Sequence, residues 1–242
     1  MTVVAPTSRP HQSIGVRSVA GALGAEITGV DLAQPLDDDV FDEIQQAFYD
    51  HLVIFFPAQT IGPADQVAFT ERFGPTAPHP LGIASLDGHP QVMVLENRPG
   101  KLAARNDFWH SDISCAPAPP SFSVLHALIV PEGRGDTMFC NMYRAWDGLP
   151  DDLRTRLDGL TAAHSGEAIR QRNRATDTDG NKDIDVPPPE IHPVARRHPE
   201  TGRRALYTNC FFTTRLGDMT AEDSAPLLAE LEKRATVPEN VY

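Results

Sequence analysis

The chain has 242 residues, of which 40% are hydrophobic and 22% are charged, and its formal net charge is −12 at pH 7. These proportions are ordinary for one soluble domain with a substantial core. The negative charge argues against nucleic acid or an anionic membrane as a partner, although a small anionic substrate needs only a local positive site. No apolar run approaches the length of a membrane span, and the first residues lack the apolar segment of a signal peptide.

The chain contains three cysteines, Cys115, Cys140 and Cys210, without the spacing of a metal site. An odd number of scattered cysteines is typical of a reducing compartment, so we expect a cytoplasmic protein without a disulfide framework. Residues 1–14 are polar and contain two prolines, which predicts a disordered N-terminal tail. We expect residues 15–242 to form a single domain and the protein to be a homo-oligomer.

The first half of the domain predicts short strands and two helices. Residues 16–32 indicate strands interrupted by glycines, and 52–56 indicate a buried strand. Between them, Phe41, Ile44 and Phe48 recur at the spacing of an amphipathic helix. Pro63 begins a second predicted helix, which ends near Gly74. Residues 75–82 are predicted to form a loop, followed by a strand at 91–95.

The second half predicts mainly strands, beginning with a strand near residue 110. Further strands are expected at 122–130 and 137–142, and a hairpin at 193–209. Residues 166–190 are polar and long, which favours either a mobile lid over the site or a disordered loop. Helices are predicted after Pro150 and from Thr220, where Asp223 three residues on resembles a capping box.

His110 and Asp112 stand two residues apart in the sequence. On a strand, such residues share a face, so an imidazole and a carboxylate can converge on one metal ion. They would supply two of the three ligands of the 2-His-1-carboxylate arrangement that holds Fe(II) in oxygenases. Roughly one such pair arises by chance in a chain of this composition, and His198 with Glu200 forms a similar pair inside a predicted turn. The residues alone therefore leave a metal site, a surface ion pair and a core histidine open.

Several motifs, taken together, resemble the taurine dioxygenase and 2,4-dichlorophenoxyacetate dioxygenase family. In chain order they are GAEITGVDL at 24–32, WHSD at 109–112, GDT at 135–137, HPV at 192–194, HPETGR at 198–203 and NCFFTTR at 209–215. The resemblance runs from about residue 16 to the last residue, and within the family it is nearest in look to the aryloxypropionate (phenoxy herbicide) dioxygenases. It implies a mainly β fold with flanking helices, a double-stranded β-helix or jelly roll.

The resemblance also implies an enzyme that uses Fe(II), 2-oxoglutarate and O2. Such an enzyme hydroxylates a small anionic organic substrate, here an aryloxyalkanoate-like acid, a sulfonate or a sulfate ester, and releases succinate and CO2. Matching motif by motif, His110 and Asp112 correspond to iron ligands and Thr137 to a hydroxyl that binds a carboxylate of 2-oxoglutarate. The positions that correspond to substrate contacts are His79, Asn106, Ile113 and Phe212.

The chain departs from the family pattern in two places. Gly82 stands where the taurine enzymes have a tyrosine, which argues against taurine and favours a larger, partly aromatic acid. No residue matches the distal histidine, the third iron ligand, or the arginine that binds 2-oxoglutarate. His192 and His198 are poor substitutes, because the family places that segment elsewhere. We therefore expect a shortened chain that lacks the C-terminal strands of the jelly roll.

Two alternatives to an oxygenase remain open at this stage. Because the distal histidine and arginine are unmatched, the chain could be a non-catalytic jelly-roll remnant that acts as a binding module. A cupin-like enzyme that uses another metal is a weaker alternative, because Asn106 and Thr137 would then have no assigned role.

Overall fold

The structure is a computed structural model that describes residues 11–79, 85–96, 107–175 and 185–242. The chain divides into two compact units. The first comprises Met1–Pro75, Val130–Asn141 and Val241–Tyr242, and the second comprises Thr76–Ile129 and Met142–Asn240. In the described ranges, no helix has the length and apolar character needed to cross a membrane.

The first unit combines a small sheet with two helices among its described residues. Its elements are β1 (Gly15–Ser18), β2 (Ala25–Thr28), α1 (Asp38–His51), β3 (Ile54–Phe55) and α2 (Pro63–Glu71). Strand β2 lies in the centre, antiparallel to β1 and parallel to β3. A parallel pair requires a crossover, which α1 provides. The predicted helices and the strands within 16–32 are confirmed. The buried strand predicted at 52–56 is reduced to Ile54–Phe55, which are half-buried.

The core of the first unit forms where α1 covers the sheet. Ile44 and Ala47 of α1 are fully buried and pack with Ile27 of β2 and Phe69 of α2. Burying a side chain of this size contributes about 1.5–3 kcal/mol. Of the predicted tail, residues 11–14 are described. The backbone N–H groups of residues 12–14 all donate to the carboxylate of Glu43, so this part is held against α1.

Residues 130–141 form little regular structure in the first unit. The strand predicted at 137–142 is wrong except for one bridge, in which Cys140 pairs with Val241. There, the N–H of Phe139 donates to the carbonyl of Tyr242 at 2.8 Å, and the reverse bond measures 2.9 Å. One such pair of bonds does not extend into a ladder, because the chain turns into a helix directly after Asn141.

The second unit contains most of the strands among the described residues. Its elements are β4 (Ser85–Leu86), β5 (His89–Met93), α3 (Met142–Asp147), α4 (Asp151–Leu157), β6 (Thr161–His164), α5 (Glu167–Ala175), β7 (Glu190–Pro193), β8 (Ala195–Arg197), β9 (Arg204–Leu206), β10 (Thr213–Leu216) and α6 (Ala221–Ala235). Strand β6 lies between β10 and β7, antiparallel to both. The predicted hairpin is β8–β9, and α6 begins at Thr220, whose hydroxyl accepts the N–H of Asp223 as predicted.

One expectation for the second unit needs correction. The apolar run 122–130 was predicted to be a buried strand, but it has no strand structure, and Leu128 and Ile129 are 80% and 92% exposed. An apolar run becomes a strand only when a neighbouring strand supplies its backbone hydrogen bonds, and none of the described strands pairs with this run. Within the predicted lid or disordered loop 166–190, residues Glu167–Ala175 form the helix α5, while 176–184 lie outside the described residues.

Candidate metal centre

His110 and Asp112 lie in a turn, residues 110–116, rather than on the predicted strand. The N–H of Ser114 donates to the carbonyl of Ser111, and the N–H of Ala116 donates to that of Ile113. Ile113 has a positive φ of 45°, which is unusual for a β-branched residue and incompatible with an extended strand. The strand prediction was therefore wrong, because the backbone reverses where a ladder would have continued.

The turn nevertheless brings the two predicted ligands together. His110 Nε2 lies 3.4 Å from Asp112 Oδ1. His110 Nδ1 lies 3.0 Å from the carbonyl oxygen of Phe108, and because a carbonyl only accepts, Nδ1 carries the proton in this contact. With Nδ1 protonated, Nε2 can meet the carboxylate either through a second proton, as in an ion pair, or through a metal ion bound by its lone pair. Two donors on one ion, with bonds of about 2.1 Å at 90–110°, lie about 3.0–3.4 Å apart.

The carboxylate of Asp112 is fixed from its other side by Ser123. The hydroxyl of Ser123 donates to Oδ2 at 2.5 Å, which leaves Oδ1 directed toward His110. The hydrogen bond with His110 lowers the pKa of Asp112, burial opposes it, and Ser123 lowers it further. The same bond raises the pKa of His110. The carboxylate is thus charged at neutral pH, and a metal ion would displace a proton from the imidazole.

Aromatic rings form one side of the pair. Phe108 and Phe211 stack with their ring centroids 4.1 Å apart, and the His110 ring lies 5.3 Å from Phe108 and 6.4 Å from Phe211. We call Phe108 and Phe211 the aromatic wall. The guanidinium carbon of Arg172 lies 5.6 Å from the centroid of Phe211. A cation and an apolar surface therefore adjoin the ligand pair.

The 110–116 turn is held by polar side chains that come from distant parts of the chain. The hydroxyl of Ser114 lies 2.9 Å from His164 Nδ1 and 3.2 Å from Asn209 Nδ2. His192 Nε2 donates to the carbonyl of Ala116 at 3.2 Å. These bonds replace the ladder that a strand would have had, and they fix the position of the turn that carries the ligands.

Comparison with known proteins identifies the lineage of the chain. The model of the taurine catabolism dioxygenase TauD, TfdA family matches residues 15–242. The chain belongs to this family. An alkylsulfatase from Acinetobacter baylyi is 34% identical over 238 residues, which cover 96% of this chain and 74% of the relative. The (S)-phenoxypropionate/alpha-ketoglutarate-dioxygenase of Sphingobium herbicidovorans is 33% identical, with 90% of this chain and 78% of the relative covered.

Solved structures of the TauD, TfdA type agree with this assignment. A putative alpha-ketoglutarate-dependent taurine dioxygenase from Burkholderia xenovorans superposes with a TM-score of 0.78 at 32% identity, covering 95% of this chain and 75% of that one. The structure of AAD-2 in complex with Mn(II) and N-oxalylglycine gives a TM-score of 0.74 at 27% identity, with 95% and 82% covered. The resemblance drawn from the sequence motifs is confirmed, and this is a family of 2-oxoglutarate-dependent dioxygenases.

The other site residues expected for a TauD, TfdA member are placed unevenly. His79 is half-buried in the second unit, where burial lowers its pKa and the charge of Asp112 opposes that shift. Ile113 and Phe212 are buried in one apolar cluster. Asn106 lies outside the described residues, and Thr137 is exposed in the first unit. Their roles remain predictions.

Phe212 is only 2% exposed and belongs to the core, whereas its neighbour Phe211 contacts the ligand pair. The motif at 209–215 pointed to this segment, but two adjacent phenylalanines gave no reason to choose Phe211. Ser123 was also missed, because nothing in the sequence relates a serine in an apolar run to an aspartate eleven residues earlier.

A third metal donor is not found in the part of the chain that the structure describes. No group of three or more His, Cys, Asp or Glu side chains there could hold an ion. His198, in the second His-x-Glu pair, accepts the N–H groups of Glu200 and Thr201 through Nδ1, so that segment is a turn as predicted. His110 and Asp112 offer two of the three protein donors that such an iron site uses, and their role as ligands remains a prediction.

Proposed function

We propose that this chain is an Fe(II)- and 2-oxoglutarate-dependent oxygenase that hydroxylates a small organic acid and releases succinate and CO2. The observation that carries the proposal is the 3.4 Å approach of His110 Nε2 to Asp112 Oδ1 in a member of this family. Relatives named for alkyl sulfates and phenoxypropionate support a sulfate ester, a sulfonate or an aryloxyalkanoate as the substrate. The TM-score of 0.78 supports a jelly-roll architecture.

The residues around the proposed metal ion would have distinct roles. His110 and Asp112 would hold the ion, and Ser123 keeps one carboxylate oxygen turned toward it. When bound, iron with 2-oxoglutarate would supply the oxidant that dioxygen alone cannot provide at neutral pH. The Phe108 carbonyl keeps the proton of His110 on Nδ1, so that Nε2 can donate its lone pair.

Substrate and cosubstrate contacts are assigned by resemblance. We propose that Thr137 donates its hydroxyl proton to a carboxylate oxygen of 2-oxoglutarate. His79, Asn106, Ile113 and Phe212 are the proposed substrate contacts. The half-buried position of His79 and its electrostatic interaction with Asp112 support its part of this assignment.

The second candidate function is a non-catalytic binding module. It is favoured by the missing third donor among the described residues, because two protein ligands hold a labile divalent ion weakly. The two candidates differ in one measurable property. An oxygenase converts 2-oxoglutarate to succinate in a metal-dependent reaction, whereas a binding module does not.

The test combines metal binding with turnover. Mn(II) binding is followed by electron paramagnetic resonance, and succinate is assayed with Fe(II), 2-oxoglutarate and a panel of alkyl sulfates, sulfonates and phenoxy acids. His110→Ala and Asp112→Ala should each lower metal affinity and abolish substrate-dependent succinate. His198→Ala is the matched control, because it removes an imidazole from a separate turn, and it should leave both properties unchanged.

Unchanged metal affinity in both ligand variants would show that the pair does not bind the ion. Normal metal binding without succinate release for every panel member would instead favour the binding module.

A further inference from the structure

Helix α5 packs against the turn that carries His110 and Asp112. Ile169 is 3% exposed and packs in the same cluster as Ile113 of the 110–116 turn, together with Cys115 and Phe212. Just before the helix, Gly166 lies beside Cys115, where an added Cβ would be in van der Waals contact with Sγ at 3.5 Å. The helix is therefore fixed relative to the turn that carries His110 and Asp112.

Arg172 stands on the same face of α5 as Ile169, because residues three apart on a helix are neighbours. Its guanidinium group lies over Phe211, 5.6 Å from the centroid. The Phe211 ring in turn lies 6.4 Å from the ring of His110. The ring of Phe211 thus lies between the guanidinium group of Arg172 and the imidazole of His110.

Arg172 is half-buried, and burial lowers its pKa, although a guanidinium remains charged at neutral pH. On the same helix, Arg170 forms an ion pair with Glu167 at 2.5 Å, and Arg174 is exposed.

A half-buried cation beside apolar rings has a defined chemical preference. Guanidinium binds carboxylate and sulfate oxygens through two parallel N–H donors. Aromatic faces take up alkyl or aryl groups. In a chain with a net charge of −12, an anionic molecule is repelled by the surface as a whole, so its affinity depends on such a local cation.

We propose that Arg172 and the aromatic wall, Phe108 and Phe211, form the substrate subsite that selects amphipathic anions, with the anionic group on Arg172 and the apolar body on the rings. This inference rests on the proposed function, since it names the class of molecule that the oxygenase would take. It makes Arg172 a determinant of substrate specificity and gives α5 a role in binding.

Equilibrium binding to the metal-free protein tests the subsite independently of turnover. Hexyl sulfate and phenoxyacetate serve as anionic probes and 1-hexanol as the neutral probe, measured by isothermal titration calorimetry. Arg172→Gln should weaken binding of the anions by about 10- to 100-fold, the range expected for a charged hydrogen bond, and Arg172→Lys by less. Binding of 1-hexanol should not change. Arg174→Gln removes the same charge from an exposed position of the same helix, and it should leave all three unchanged.

The loaded enzyme gives a second readout. Arg172→Gln should raise KM for hexyl sulfate by a similar factor while KM for 2-oxoglutarate stays constant. A raised KM for 2-oxoglutarate instead would assign Arg172 to the cosubstrate and overturn the proposal. Equal losses in Arg172→Gln and Arg174→Gln, or wild-type protein that binds neither anion, would overturn it as well.

Failure of the proposed function can be distinguished from failure of the subsite. If only the proposed function fails, the wild-type protein releases no succinate with any metal or substrate, but Arg172→Gln and Arg174→Gln still differ in calorimetric binding of the anions. Arg172→Lys keeps the charge and the aliphatic stem, so it provides a folded comparison if Arg172→Gln is unstable.

Discussion

The buried imidazole of His164 makes the stability of the protein sensitive to acid. The side chain is fully buried, and its Nε2 has no hydrogen-bond partner among the described residues. It stacks on Tyr207 and meets the edge of His192 at 5.2 Å. Burial lowers the pKa of His164 to about 4, and the charges of His192 and Arg196 lower it further.

The sign of the effect follows from proton binding. In the folded protein His164 stays neutral down to about pH 4, whereas in the unfolded chain it takes up a proton below its ordinary pKa of 6.5. The contribution of His164 to stability is therefore constant above about pH 7 and falls as the pH decreases toward 4. At 1.36 kcal/mol per pKa unit the full loss is about 3 kcal/mol, and about 2 kcal/mol of it occurs by pH 5.

Urea denaturation at pH 7.5 and pH 5.0 measures this loss. His164→Gln has no titrating ring but keeps an amide that can bond to Ser114. Between the two pH values, the wild-type protein should lose about 2 kcal/mol more free energy of unfolding than the variant. Because all other titrating groups are common to both proteins, the difference isolates His164. Equal losses in the two proteins would refute the assignment of a neutral, buried imidazole.

Three further substitutions test the metal centre and the core. Ser123→Ala should lower Mn(II) affinity about 10-fold, because the carboxylate of Asp112 loses the bond that orients it; unchanged affinity would contradict this. Asn209→Ala should lower both metal affinity and unfolding free energy, the latter by about 1–3 kcal/mol, because it breaks the contact with Ser114 and leaves backbone N–H groups unpaired; a loss of stability alone would show that Asn209 does not position the turn. Ile44→Ala should destabilise the protein by about 2–5 kcal/mol and Ile44→Val by about 1 kcal/mol in urea denaturation, because Ile44 is fully buried; equal effects would contradict the packing described for α1.

Helices were predictable where their determinants are local. The apolar spacing from Phe41 to Phe48 predicts α1, and that helix does bury Phe41 and Ile44. Thr220 and Asp223 predict the start of α6, and the cap is formed by these two side chains alone. In each case the residues whose interactions determine the structure are only a few positions apart, so the interactions can be recognised from the sequence.

Strands were less predictable because a strand depends on a partner elsewhere in the chain. The run 122–130 has the apolar composition of a buried strand, yet it belongs to none of the sheets in the described residues, and Leu128 and Ile129 are largely exposed. The short strand β6 has little apolar character of its own, but it is buried between β10 and β7. Composition therefore reports which residues favour burial, and topology decides which of them are buried.

His110 and Asp112 were predicted to converge, and they do so on a backbone that differs from the predicted strand. A strand would place residues i and i+2 on one face. Here His110 and Asp112 converge although the backbone turns directly after them, where Ile113 has a positive φ. A β-branched residue rarely adopts this conformation, so no sequence pattern would have suggested it. A strand is held by its ladder of backbone hydrogen bonds, whereas this turn has to be held by side chains. The predicted strand therefore gave no reason to look for those side chains.

Those side chains explain the position of the buried histidines. His192 was considered as a possible metal ligand, but it donates to the carbonyl of Ala116 instead. Register places it opposite Ala162, on the same face of the sheet as His164, so β6 and β7 each direct one imidazole at the 110–116 turn. A turn without ladder bonds depends on such partners for its position. The precision of the metal pair is therefore set by a sheet whose residues lie about fifty to eighty positions away in the sequence, and substitutions in that sheet should change metal affinity without touching a ligand.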